Sequence, residues 1–184
     1  MQATSILMQE HRVIERVLDS LQTVASRLKG GEAVDPRIFI EVADFAKGFA
    51  DGCHHKKEEG ALFPAMEAAG IPAEGGPIAV MLSEHEEGRR LIASIRASAE
   101  RLQGGDGSAR AAVVENALAY VALLRQHILK EDNILFPMAD QVLQGAAAAE
   151  VDKAFDRIET EEIGEGVHDR FHALADSLRD RASQ

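Results

Sequence analysis

The chain has 184 residues (19.9 kDa), enough for one sizeable core, and carries 20 Lys and Arg against 31 Asp and Glu, a formal charge of −11. An acidic chain with no clustered basic stripe is repelled by phosphate backbones and anionic lipid, which argues against nucleic acid and membrane surfaces as partners. Aromatic residues are only 4%, Trp is absent and Cys53 is the single cysteine, so the core is aliphatic, and a disulfide framework, a Cys-rich zinc site or a one-chain iron–sulfur cluster is excluded.

The first segment carries charge by Glu10 and has no long apolar run, so it reads as neither a leader nor a membrane span, with the cytoplasm as default location. A helix is expected from a cap at Thr4 or Ser5 to Lys29, where Gly30-Gly31 stops it. Its apolar stripe is Leu7, Ile14, Leu18, Leu21, Ala25 and Leu28, with His11 in the slot between Leu7 and Ile14. A second helix opens at Asp35-Pro36. It carries Val42, Phe45, Phe49, Cys53 and His54 on one face, and runs through Pro64 to Met66 before the turn-rich AGIPAEGGP. The third repeats the stepping of the first with Met81, His85, Gly88, Ile92, Ile95, Ala99 and Leu102. After GGDGS, with Ser108 expected as cap, the fourth gives Val113, Ala117, Tyr120, Leu124, His127, Glu131, Ile134 and Met138. Helical signal resumes at about 146–159 and again at about 165–182.

Four helices on short, Gly-rich connections predict an all-α protein: an antiparallel up-down-up-down four-helix bundle over residues 1–144, with a C-terminal helical extension, 145–184, packed on it. The bundle divides into two helix pairs, about 5–68 and 77–143. VMLSEHEEGRRLIASI overlays ILMQEHRVIERVLDSL at an offset of 74, and HILKEDNILFP overlays HHKKEEGALFP at an offset of 73. Each copy thus supplies a His from its first helix and a His-x-x-x-Glu from its second. At i,i+4 the His and Glu lie about 40° apart in azimuth and one turn apart along the axis, so both can face one centre. Folding the copies together converges His11, His54, Glu58, His85, His127 and Glu131. Imidazoles and carboxylates without thiolates suit iron, zinc or manganese, and two carboxylates among four histidines describe a dinuclear site bridged by Glu58 and Glu131. Burying two such carboxylates without a cation would cost several kcal/mol each.

With these blocks the chain resembles the hemerythrin-like, or HHE cation-binding, family over roughly residues 5–140. The resemblance implies a carboxylate-bridged, oxo- or hydroxo-bridged di-iron centre that meets O2 or a related small molecule such as nitric oxide or peroxide. It implies oxygen or iron handling or a stress response, with peroxide or nitric oxide reduction as the form any catalysis would take. A metal-stabilised structural or interaction bundle, with iron or zinc, is the alternative. The third-helix His-x-x-x-His of the oxygen carriers is missing, since Met81 and Arg89 flank His85. Two six-coordinate irons with two bridging carboxylates and one bridging oxygen leave two positions open with four histidines and one with five. The fifth nitrogen is expected from His55, a position some members use as a ligand and one with small neighbours at Gly48 and Gly52, with His168 or His172 in the tail as the alternative.

Asp132 stands at the carriers' His-x-x-x-x-Asp spacing from His127, but the repeat pairs Glu131 with Glu58 and leaves Asp132 matched to Glu59 on the flank. Substitutions at Asp132 and Glu59 are therefore expected to be nearly silent. Leu62-Phe63 and Leu135-Phe136 are expected to wall the site, and Cys53 to be packing. Glu165-x-x-His168 is a lone Glu-x-x-His, where a ferritin-like di-iron bundle needs two.

Overall fold

The computed structural model describes residues 1–164 and 166–184, and among them every regular element is a helix. Helix α1 is Gln2–Lys29. Helix α2 spans 37–68, with α-helical ends, Arg37–Phe45 and Phe63–Ala68, around π-helical Ala46–His55 and Glu58–Leu62. Helix α3 is Pro77–Gln103. Helix α4 spans 110–142, with a π-helical Glu131–Leu135 inside it. The extension forms α5 over 146–163, π-helical at Ile158–Ile163, and α6 over Val167–Ala182.

Two capping expectations change. Helix α1 starts ahead of Thr4, whose hydroxyl instead donates to the Met1 carbonyl and to Asp140 Oδ1, both at 2.9 Å. That polar tie, with the Met1 ammonium 2.6 Å from the same Asp140 oxygen, satisfies the first turn. Ser108 does not cap α4, which starts after Ala109 without a side-chain cap; Asp106 instead caps the short 3-10 turn Gly107–Ala109 just before it, accepting from the Ser108 amide and hydroxyl. Asp35 does accept from the Arg37 amide at 3.0 Å, and Pro64 is tolerated because it falls in the first turn after a π segment.

Apolar side chains gather in two clusters. One holds Val13, Leu18, Phe49, Ile95, Leu124 and Ile128 with their neighbours. The other holds Leu7, Leu62, Met81, Leu135, Phe136 and Phe155. Along α1 and α3 residue numbers rise from the second cluster to the first; along α2 and α4 they rise from the first to the second. Each of these four helices crosses between the clusters at one turn: Glu10 and His11, His54 to Glu58, His85, and His127 to Glu131. Within these turns Glu10, His11, His54, Glu58, His85, His127 and Glu131 are all buried. A polar layer therefore lies between two aliphatic cores.

Helix α6 lies along α1 and α2, completing the first cluster with Phe171, Ala175 and Leu178. Its seat is a notch at Gly48, where a Cβ would fall 2.1 Å from Phe171 Cζ. Gly48 therefore makes room for the tail, not for His55. Helix α5 closes the second cluster with Val151, Phe155 and Ile158. The turn between them uses Gly166 at φ 77°, a left-handed conformation costly for residues with a Cβ. No helix among the described residues is long and apolar enough to cross a membrane.

Candidate metal centre

The polar layer brings all seven sequence-predicted donors together in two groups. His55, Glu58, His85 and His127 form one, and His11, His54, Glu58 and Glu131 the other; within each group one ligand atom per residue lies within 4.8 Å of the rest. The π-helical runs contain His54, His55, Glu58 and Glu131. Their i→i+5 bonding shifts the phase of the next turns of the helix and is frequent at functional sites.

Within the layer, His11 Nε2 is 3.0 Å from His54 Nε2 and 3.1 Å from Glu131 Oε2. His85 Nε2 is 3.2 Å from His127 Nε2, and Glu58 places one oxygen 3.5 Å from His54 Nε2 and the other 3.5 Å from His85 Nε2. The His55 ring stacks on His85 with centroids 3.8 Å apart. Both Glu58 oxygens, Glu131 Oε1 and His55 Nε2 are fully buried without a hydrogen-bond partner. Orphaned buried acceptors are rare in a folded chain and cost about 1–3 kcal/mol each, more when charged. Burial, then the Glu131 carboxylate, pushes Glu58 well above the usual carboxylate range. Burial also acts to raise Glu131, but the His127 charge and the hydrogen bonds from His11 and His127 outweigh it and hold its carboxyl low. Burial pushes His54 down to about 4 and His55 to about 3, leaving both neutral with free lone pairs. Neutral His54 and His55 are in the state that metal ligation requires, and the raised Glu58 is a buried carboxyl that a cation would ionise by neutralising its charge, so the donor set fits a pair of divalent or trivalent cations.

An outer ring of carboxylates holds the imidazoles, and here the expectation for Asp132 and Glu59 is corrected. Asp132 Oδ1 lies 2.7 Å from His11 Nδ1, and Glu59 Oε1 lies 2.6 Å from His85 Nδ1. Each sits on the flank of its own helix, as the 100° step from its neighbour requires, but that flank is where the adjacent helix delivers a histidine. Glu10 Oε2 holds His54 Nδ1 at 3.0 Å and Glu84 Oε2 holds His127 Nδ1 at 2.9 Å. Two lysines support these glutamates in turn, Lys57 on Glu10 and Lys130 on Glu84. Sequence reasoning missed Glu10, Glu84, Lys57 and Lys130, although all four obey the same repeat. Carboxylate on Nδ1 leaves Nε2 aimed inward, the usual arrangement behind metal-bound histidine.

The phenylalanines take their expected place: Phe136 stacks on His11 at 5.4 Å and Phe63 on His85 at 6.0 Å. Cys53 is buried, donates to the Gly48 carbonyl and is pushed to about 11 by burial, so it is inert packing. The tail histidines stay outside both donor groups. His168 Nε2 is 2.9 Å from Glu159 and 3.8 Å from Glu10, and His172 lies edge-on to Phe49. Glu165 lies outside the described residues.

Two aliphatic cores with a layer of buried imidazole and carboxylate between them define a cation-binding helical bundle. The chain belongs to the hemerythrin family, matching the hemerythrin HHE cation binding domain over residues 2–139. Among curated proteins it is 25% identical over 174 residues to uncharacterized proteins from Mycobacterium tuberculosis and Mycobacterium bovis, covering 95% of this chain. It spans 66% of the length of those relatives. No solved structure matches the chain.

Proposed function

We propose that the chain is a hemerythrin-like di-iron protein that binds or reacts with O2 or a related small molecule, nitric oxide or peroxide, in a cytoplasmic role in oxygen or iron handling or stress response. The observation that carries this reading is the pair of donor groups sharing Glu58, whose two buried oxygens have no partner among the described residues. Supporting it, the alternating direction in which four helices cross the polar layer fits an up-down-up-down bundle, with the C-terminal extension filling the groove between α1 and α2. His55, His85 and His127 would hold one ion, His11 and His54 the other, and Glu58 and Glu131 would bridge them. Iron bound there would supply a redox-active, Lewis-acidic centre for the small molecule.

The chain's own residues make the two halves unequal. The repeat matches His55 to Ile128, which is buried in the aliphatic cluster and offers no donor. The His11/His54 half therefore offers one nitrogen fewer, and an ion held there would keep room for a small ligand. Stacked Phe136 and the surrounding aliphatic side chains exclude water and favour small uncharged ligands. Asp132 and Glu10 fix the orientation of His11 and His54 and hold their Nδ1 protons. The optical spectrum of freshly purified protein tests the reading: near-ultraviolet charge-transfer bands that shift with azide are expected, and a colourless zinc-loaded protein would favour a structural bundle instead.

A further inference from the structure

On the side of His55 away from the paired carboxylates lies a cavity of about 340 Å³ between α2 and α3, in the size range of small-molecule sites. This volume far exceeds a diatomic. Its apolar walls come from Ala43, Ala46, Ile92 and Ala93, and buried Tyr120 and His55 also line it. It opens beside the half that holds the extra nitrogen, not the half left one donor short, so it does not serve the exchangeable position.

Two features give it a chemical preference. Tyr120 is only 4% exposed, and its hydroxyl has no hydrogen-bond partner among the described residues. Burial, reinforced by the nearby Asp51 charge, raises the phenol so that it stays protonated and presents a donor. The hydroxyl is not among the fully buried orphan atoms, so it is reachable from the cavity, where an incoming acceptor would take the place of water. The lining also carries three cations, Lys47, Arg89 and Arg96, against one carboxylate, Asp51, on a chain whose net charge is −11. Arg89 is held by Asp51, Glu59 and Glu86, and Arg96 by Asp44. Lys47, exposed at the rim, has no ion pair among the described residues.

We propose that this cavity is a binding site for a small organic carboxylate, its apolar body against the alanine face, its carboxylate drawn to Lys47, and a second acceptor or ring edge on the Tyr120 hydroxyl. The site is independent of which metal the protein holds, so its test stands apart from the di-iron reading.

Benzoate and its uncharged ester methyl benzoate are the probes, titrated calorimetrically into metal-loaded protein. Tyr120 is the only tyrosine and there is no Trp, so intrinsic emission reports from inside the cavity. Saturable benzoate binding at one site per chain is expected, with Tyr120 emission following the same curve and methyl benzoate several-fold weaker. Lys47→Ala should erase the preference for the acid. Tyr120→Phe should weaken benzoate by roughly 2–10-fold, the worth of one hydrogen bond, and Ala93→Phe, which fills the cavity from its exposed rim, should abolish binding. No saturable binding up to about 10 mM, equal affinity for acid and ester, unchanged affinity in Tyr120→Phe, or binding that survives Ala93→Phe, as it would if benzoate went to the metals, would each overturn the proposal.

Discussion

Asp132→Ala removes the carboxylate that lies 2.7 Å from His11 Nδ1. His11 is fully buried, so its Nδ1 proton would be left facing the space of the deleted side chain. A buried donor stripped of its acceptor costs about 1–3 kcal/mol, and losing an outer partner of a ligating histidine costs roughly 10–100-fold in metal affinity, about 1.4–2.8 kcal/mol. The Asp132 side chain is 19% exposed, so water can partly replace it and the loss should sit near the tenfold end. Asp132→Asn keeps an oxygen acceptor and should recover most of the affinity. The assay is metal retention against a competing chelator, with Asp19→Ala as control because Asp19 is 72% exposed and pairs across the surface with Arg125. Asp132→Ala holding its metal as firmly as Asp19→Ala would refute the reasoning, and with it the role assigned to the whole outer ring.

Glu58→Leu should abolish metal loading yet stabilise the chelator-treated protein by about 1–4 kcal/mol, since it replaces a buried unpartnered carboxylate with an apolar group of similar volume. Thermal unfolding after chelation checks this, at about 2–4 °C per kcal/mol for a chain of this size. His55→Ala should lose metal about 10–100-fold more readily, whereas His168→Ala and His172→Ala should retain it, measured in the same chelator competition. Gly48→Ala should destabilise the fold by about 1–3 kcal/mol through the clash with Phe171. In denaturant titrations it should be non-additive with Phe171→Ala, which removes the clashing ring.

The parts of the site legible in the sequence are those the internal repeat makes visible. A histidine in an apolar stripe, as at His11 and His85, and a His-x-x-x-Glu followed by Leu-Phe-Pro, as at 54–64 and 127–137, carry their own register. The polar layer between two aliphatic cores results from them. The outer ring is harder to read because its partners are neighbours in space only. Asp132 looks peripheral on α4 until α1 brings His11 against it, and helix azimuth alone does not say which helix stands next to a flank. A signal exists all the same: Glu10 and Glu84, Glu59 and Asp132, and Lys57 and Lys130 recur at the same offsets as the donors. The tail is the other blind spot. Gly48 reads as space for the adjacent His55, but the void is shaped for Phe171, more than 120 residues away. Removal of a Cβ marks a close approach without naming the visitor.

The long π-helical run also escapes sequence periodicity. It begins at Ala46 in the first repeat and only at Glu131 in the second, and His55 lies inside the longer one while Ile128 remains in regular α-helix. That difference separates a three-histidine half from a two-histidine half in an otherwise symmetric layer.

The central claim is tested most directly by metal analysis of the protein purified after iron-replete expression. The account predicts two ions per chain, because His55, His85 and His127 on one side and His11 and His54 on the other form two groups joined through Glu58. It also predicts that Glu58→Ala loses both ions together. One ion or none per chain, or a Glu58→Ala variant that keeps its full complement, would contradict it.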